Sequence, residues 1–316
     1  MRNKTSDLNV GLDRKQGFWK RLKNQSMFQF MVLPGIVLMI IFNFIPMYGI
    51  VIAFKDYSVL DTIGNAPWIG MEYFKEFFND PMFWTVMKNT LGISFLKLAI
   101  GFPAAIVLAV LINEMIHHRF KKVVQTISYL PHFLSWVILG GMFITWLSDT
   151  GLVNNILIDL NLIEKPIKFL TNPSYYWSVA VASDIWKEIG WNTILYIAAM
   201  TGINPALYEA AKIDGASKIR QMISITIPSI RHIIALTFVL SVGGLLNSNL
   251  DQTLVLQNPV NYQASEVINS YVYKMGIVQG NFSYATAVGL FVSVISLILV
   301  VASHLITKKI SDTSVF

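Results

Sequence analysis

The chain has 316 residues, 54% of them hydrophobic and only 13% charged, with a mean hydropathy of +0.55. A soluble domain carries about a quarter charged residues, so this composition excludes an ordinary soluble fold and predicts an all-α integral membrane protein, one bundle of six transmembrane helices at roughly twenty residues each. The absence of cysteine excludes disulfides and thiolate metal sites.

Taken in order, residues 1–26 hold Arg2, Lys4, Arg14, Lys15, Lys20, Arg21 and Lys23 beside Phe18, Trp19 and Leu22. This is expected to be either a short amphipathic anchor on an anionic leaflet or a plain disordered basic tail. Its polarity, and the long apolar run that follows without a small-residue cleavage site, predict that no signal peptide is removed. The first span is expected over 27–53, with Pro34 and Pro46 able to kink it. Residues 54–85 then form an acidic, aromatic outer loop, with Asp56, Asp61, Glu72, Glu76 and Asp80 against two lysines, expected to be ordered by its tryptophans and prolines.

Residues 86–309 read as a five-helix core. Span two covers 86–113 and contains Lys97. A basic loop with Arg119, Lys121 and Lys122 leads to span three at 123–147, where Pro131, Gly140 and Gly141 permit a kink and close helix packing. After an outer loop, span four at 177–203 carries Asp184, Lys187 and Glu188. A polar segment occupies 204–228. Span five, 229–249, passes through Gly243 and Gly244 into the polar stretch Asn247 to Asp251, and span six runs over 284–307, leaving a C-terminal tail at 310–316.

The distribution of positive charge orients the bundle. If the N-terminus is inside, the cytoplasmic segments hold sixteen of the 24 lysines and arginines and the outer loops five, the remaining three lying in spans at Lys88, Lys97 and Lys187. The excess on one side places both termini and the 204–228 segment in the cytoplasm. It also accounts for the net charge of +6 without nucleic acid as a partner.

The segment Asn204 to Pro228 is the most structured polar stretch. Asn204 followed by Pro205 reads as an N-cap with proline at the first helical position, and Glu209 lies toward the positive end of that helix. Asp214-Gly215 is a stop signal, since glycine adopts the left-handed backbone that ends a helix, and Pro228 closes the second half. Small residues at Ala210, Ala211, Gly215 and Ala216 allow close backbone approach, while Glu209 and Asp214 offer anchoring charges to a partner.

The pattern Glu209-Ala210-Ala211, three residues, Gly215, nine residues, Ile225, one residue, Ile227-Pro228 resembles the EAA loop of membrane subunits in ATP-binding-cassette importers. It departs from that pattern only in Ile227, where leucine is usual. From about Asn89 onward the chain resembles the carbohydrate-type permeases of the type I importer class. Tyr129-Leu130-Pro131, the Trp186–Trp191 run with Gly190, and the pair Tyr271 and Tyr273 add a likeness to the complex-polysaccharide and oligosaccharide subgroup of Gram-positive bacteria. The resemblance implies a multi-pass protein of the bacterial cell membrane whose 204–228 loop is a cytoplasmic coupling helix docking on the ATPase. It further implies a second homologous permease, a dimer of ATPase subunits that hold ATP and magnesium, an extracellular solute-binding protein, membrane lipid around the spans and an oligosaccharide substrate.

No G-x-x-x-x-G-K-[ST] phosphate loop occurs, so ATP hydrolysis is not expected of this chain. The five histidines, His117, His118, His132, His232 and His304, are scattered without metal spacing, and no catalytic, cofactor or metal site is expected. The informative ionisable residues are those inside spans, because a charge near the bilayer centre costs about 2.5–3.5 kcal/mol on insertion scales and must face protein or water. Lys97, Asp184, Lys187 and Glu188 lie at overlapping depths. Lys97 is expected to pair with Asp184 or Glu188 and join two helices, with substrate contact as the alternative; Asp184 and Lys187, three apart, could also pair with each other.

A sugar path needs aromatic faces and hydrogen-bonding side chains at depth, and Trp136, Trp191, Asn192, Asn247 and Asn249 are of the right type. An ion-coupled secondary transporter would show repeated halves and a carboxylate relay. No repeat relates residues 28–148 to 177–307. An intramembrane transferase would need an acid, base or metal cluster that the sequence lacks.

Overall fold

A computed structural model describes residues 26–311, and over these the protein is helical, with one isolated antiparallel bridge between Lys55 and Trp68. The expectations for the basic tail before Ser26 and for the last five residues lie outside the described part. Two compact units divide between Val51 and Ile52. The first is helix α1 (Ser26–Phe54) up to that boundary, whose apolar side chains pack on nothing within it: Met27, Phe28, Phe30 and Met31 are all largely exposed.

The second unit contains α2 (Glu72–Asn79), α3 (Phe83–Asn113), α4 (His118–Phe133), α5 (Trp136–Trp146), α6 (Leu152–Asp159), α7 (Pro173–Met200), α8 (Pro205–Ile213), α9 (Lys218–Ser229), α10 (Arg231–Gly243), α11 (Leu250–Leu256), α12 (Ile268–Tyr273) and α13 (Phe282–Ser311). Three helices, α1, α3 and α13, are long and apolar enough to cross a membrane. Two bent pairs, α4 with α5 and α9 with α10, have the composition of broken spans. Helix α7 has 28 residues, length enough for a bilayer core of about 30 Å, but carries three charges in its middle, Asp184, Lys187 and Glu188.

Span three is therefore not one kinked helix. The chain turns by 101° between α4 and α5, and the new helix starts at Ser135, whose side chain accepts from Ile138 N. The helix read as span five starts within two residues of the expected position but is shorter than 229–249. A 66° bend separates α9 from α10, and α10 has only 13 residues, about 20 Å at 1.5 Å per residue. The helix ends at Gly243, and the polar Leu245–Asn249 stretch leads to α11.

Prolines leave a regular mark on these helices. The wide π-turns Ile40–Phe44, Lys97–Gly101 and Met222–Thr226 each end two residues before a proline, Pro46, Pro103 and Pro228. Proline has no N–H to donate and its ring crowds the carbonyl four residues back, so a locally widened turn lets the helix continue.

Gly190 and Gly140 are among the glycines on which close packing depends. A Cβ on Gly190 in α7 would fall on the Ser128 carbonyl of α4, and one on Gly140 would fall on Val255 of α11. Gly141, by contrast, has nothing within 4 Å of that position. Gly190→Ala is expected to destabilise the protein by about 1–3 kcal/mol, because backbone must move to admit the methyl group. Gly141→Ala is expected to be neutral or stabilising by up to about 1 kcal/mol through helix propensity. Thermal unfolding of the two variants checks this, and equal melting temperatures would contradict the packing.

The 54–85 segment is held by phenylalanine and tyrosine more than by its tryptophans. Phe77 is buried and sits at the centre of a ring cluster with Phe83, Tyr271, Tyr284 and Phe291, whereas Trp68 is mostly exposed and stacks on Phe54. Asp80 accepts from the Tyr271 hydroxyl at 2.6 Å, and Asp56 accepts from Tyr73 at 2.8 Å. Partial burial and the Asp56 carboxylate push the Tyr73 hydroxyl up to about 12, so it remains a donor at neutral pH. Just after α12, Lys274 bonds both Gln257 and the fully buried Glu266 of the α11–α12 connection while lying 4.6 Å over the Tyr262 ring.

Candidate functional site: a polar cavity and a surface hairpin

Helices α3, α7 and α10, with the connector Gly244–Asn249, enclose a cavity of about 760 Å³. Helical spacing decides which residues reach it. On α3 these include Ser94, Lys97, Gly101 and Ala105, three or four apart along one face; on α7 they include Asp184, Glu188, Trp191, Asn192 and Leu195. The α10 helix adds Thr237 and Ser241, and the connector adds Asn247, Ser248 and Asn249.

The cavity therefore gathers Trp191, Asn192, Asn247 and Asn249 from positions far apart in sequence. Trp136 does not join them. As the first residue after the 101° turn it points into protein, is 5% exposed, and lies 6.0 Å from the Lys187 ammonium. Asn249 caps α11 by accepting from Gln252 N, and the Asn247 carbonyl accepts from Asn269 at 2.8 Å.

Lys97, Asp184, Lys187 and Glu188 are all partnered. Lys97 Nζ lies 2.9 Å from Asp184 Oδ1 and also donates to Gln252 Oε1 at 2.7 Å. Gln252 in turn donates to Ala180 O and Ser183 Oγ of α7, so α3, α7 and α11 meet at one polar cluster. Asp184 and Lys187 do not pair, although they share a helix face. Lys187 is instead buried and donates to His132 O at 2.6 Å, with Glu188 Oε1 at 3.2 Å. The other Glu188 oxygen lies 2.7 Å from His132 Nδ1, and the His132 ring stacks on Trp191 at 4.2 Å, within 5° of parallel. The end of α4 is thereby fastened to α7 immediately before the sharp turn.

Sequence reading missed Gln252 and His132 as parts of this site. The available signal is physical: an ammonium inside a span needs more acceptors than one carboxylate, and a carboxylate needs donors. No group of three or more metal-ligating side chains occurs among the described residues.

The hairpin is built by local rules. Asn204 Oδ1 accepts from Ala206 N at 3.0 Å. Gly215 has φ +73°, Ala216 N donates to Ala211 O, and Gly215 N donates to Lys212 O, a Schellman stop that satisfies the last carbonyls of α8. Ser217 caps α9 through Arg220 N. Tyr208 bonds Thr226 at 2.9 Å across the two arms, Gln221 bonds Ala216 O, and Lys218 reaches Glu114 at the end of α3 at 2.8 Å. The apex is open: Glu209, Ala210, Asp214 and Gly215 are exposed, and Ile213 is 87% exposed. Ala211, Ala216 and Ile225 are half-buried between the arms, and Pro228 precedes the bend into α10.

Residues 101–312 match the family model described as the binding-protein-dependent transport system inner membrane component. The chain is 40% identical to the polygalacturonan/rhamnogalacturonan transport system permease protein YteP of Bacillus subtilis (strain 168), over 94% of this chain and 92% of that protein. It is 39% identical to the protein LplB of the same organism over 93% and 92% of the two chains. Among solved structures it is similar to a chain of a bacterial ABC transporter involved in the import of the acidic polysaccharide alginate, with a TM-score of 0.84 and 38% identity over 93% of this chain and 99% of that one. A structure of the bacterial alginate ABC transporter in complex with its pentasaccharide-bound periplasmic protein gives a TM-score of 0.85 at 37% identity, covering 95% of this chain and 100% of that one. The protein is a multi-pass transport subunit and not an enzyme, and it belongs to the family of binding-protein-dependent transport system inner membrane components of ABC importers.

Proposed function

We propose that the chain forms half of the translocation path of an ATP-driven importer of oligosaccharides or polysaccharide fragments. The observation that carries this reading is likeness over nearly the whole chain to a polygalacturonan/rhamnogalacturonan transport system permease and to a chain of an alginate importer. The partners are a second homologous permease, an ATPase dimer that binds ATP and magnesium, and an extracellular solute-binding protein.

Six spans account for the chain: α1, α3, α4 with α5, α7, α10 with the stretch to Asn249, and α13, with both termini in the cytoplasm. Helix α7 is included because its three charges are neutralised within the protein, which removes most of the cost of placing it in lipid. The division into a basic tail (1–26), a first helix (27–53), an outer loop (54–85), a core (86–309) and a short tail (310–316) follows the same topology. The hairpin 204–228 is the coupling element: Glu209, Asp214 and the small residues Ala210, Ala211, Gly215 and Ala216 meet the ATPase, while Ile225 and Pro228 set its angle to α10. Trp191, Asn192, Asn247 and Asn249 line the substrate path. Lys97, Asp184, Lys187 and Glu188 hold the helices around it.

Purification through an affinity tag on this chain, expressed with its transporter partners, is expected to bring down the ATPase and a second permease. Solute uptake by this chain alone, coupled to an ion gradient, would contradict the assignment.

A further inference from the structure

The permease YteP and the alginate importer are named for acidic polymers, yet the cavity of this chain is poorly suited to a polyanion. Three charged residues line it, Lys97, Asp184 and Glu188, two of them carboxylates. The single lining ammonium already faces the Asp184 carboxylate and the Gln252 carbonyl. The nearby Lys187 is buried, does not line the cavity, and is taken by His132 O and Glu188. Among the described lining residues there is no arginine and no cation without a carboxylate partner.

A uronate entering this space would meet two carboxylates on the α7 wall, each already paired with a lysine, and find no guanidinium or free ammonium to clamp it. Sugar hydroxyls would fare better. Asp184 Oδ2 has no partner among the described residues, and Asn192, Ser241, Asn247 and Asn249 offer amide and hydroxyl groups to either a donor or an acceptor. Trp191 remains 42% exposed on this wall, a flat face for the apolar side of a pyranose.

Resting on the reading of the chain as an oligosaccharide permease, we propose that its half of the path is selective for uncharged saccharides, with Asp184 and Glu188 accepting from sugar hydroxyls and excluding uronates.

The test is direct binding to the purified, assembled importer without its solute-binding protein, so that the outer receptor's own preference does not enter. The probes are oligosaccharides of four to six units: neutral xylan, mannan and arabinan fragments, galacturonate oligomers, and the methyl esters of those same oligomers. Each methyl ester is expected to bind at least ten-fold more tightly than its free acid, and the gap should widen as salt is lowered. In an Asp184→Asn/Glu188→Gln variant the ratio should fall toward one through tighter binding of the free acid, a shift that loss of structure would not produce. Equal or tighter binding of the free acid by the unmodified importer overturns the inference while leaving the oligosaccharide reading intact. Failure of every saccharide in the panel to bind overturns both.

Discussion

Gly215→Phe and Glu209→Lys are each expected to lower ATP-driven uptake by about 30-fold or more, the effect of losing roughly 2 kcal/mol at the centre of an interface, while the membrane subunits remain assembled. The separation is possible because of where Gly215 sits. Its φ of +73° resists an L side chain, but nothing lies within 4 Å of the added Cβ, so the strain within the chain is only about 1–2 kcal/mol. A phenylalanine there would project from the exposed apex, on the surface assigned to the ATPase. Glu209 is likewise exposed and makes no hydrogen bond or ion pair among the described residues, so reversing its charge removes nothing the isolated chain needs. The measurements are uptake in proteoliposomes and the amount of ATPase that co-purifies. Asparagine at 215, which tolerates the left-handed conformation, should do less harm than phenylalanine. Wild-type uptake in both Gly215→Phe and Glu209→Lys would contradict the coupling role.

The second large effect concerns Lys97. Lys97→Met should destabilise the assembled protein by about 3–5 kcal/mol, because it strands the partly buried Asp184 carboxylate and removes the donor to Gln252 Oε1. Replacing both members of the pair, Lys97→Met with Asp184→Leu, should recover most of that stability, since well-packed apolar substitutes often equal a buried ion pair. Thermal unfolding of the purified complex reads both. A single variant as stable as the parent would remove the argument that the pair holds α3 to α7. A double variant that is stable but transports poorly is expected, because Asp184 is also assigned to the saccharide.

The parts of this molecule that were legible in the sequence are those fixed by neighbours along the chain. Asn204 with Pro205, Gly215 and the small residues between them encode the hairpin through capping and backbone freedom, and the apolar runs encode α1, α3 and α13. The breaks were harder to read. Leu134–Ser135 interrupts the stretch read as span three, and the turn there is set by tertiary contact, the His132 and Lys187 bonds that fasten α4 to α7. The same turn explains Trp136: its residue type suits a sugar path, but a rotation of 101° aims it at the core. Gln252 is separated from Lys97 by 155 positions, and no local pattern links the two. Only the requirement that a charge inside a span be fully satisfied points toward such a residue.

The placement of the hairpin apex against a nucleotide-hydrolysing partner can be tested with one thiol. The chain contains no cysteine, so Ile213→Cys introduces a single reactive group at a highly exposed position next to Asp214 and Gly215. With one cysteine in the ATPase cleft, a short bifunctional maleimide is expected to link the two chains in inside-out vesicles, while a membrane-impermeant thiol reagent added to intact cells leaves position 213 unlabelled. Labelling from outside the cell, or no link to the ATPase in an assembly that still transports, would contradict the account.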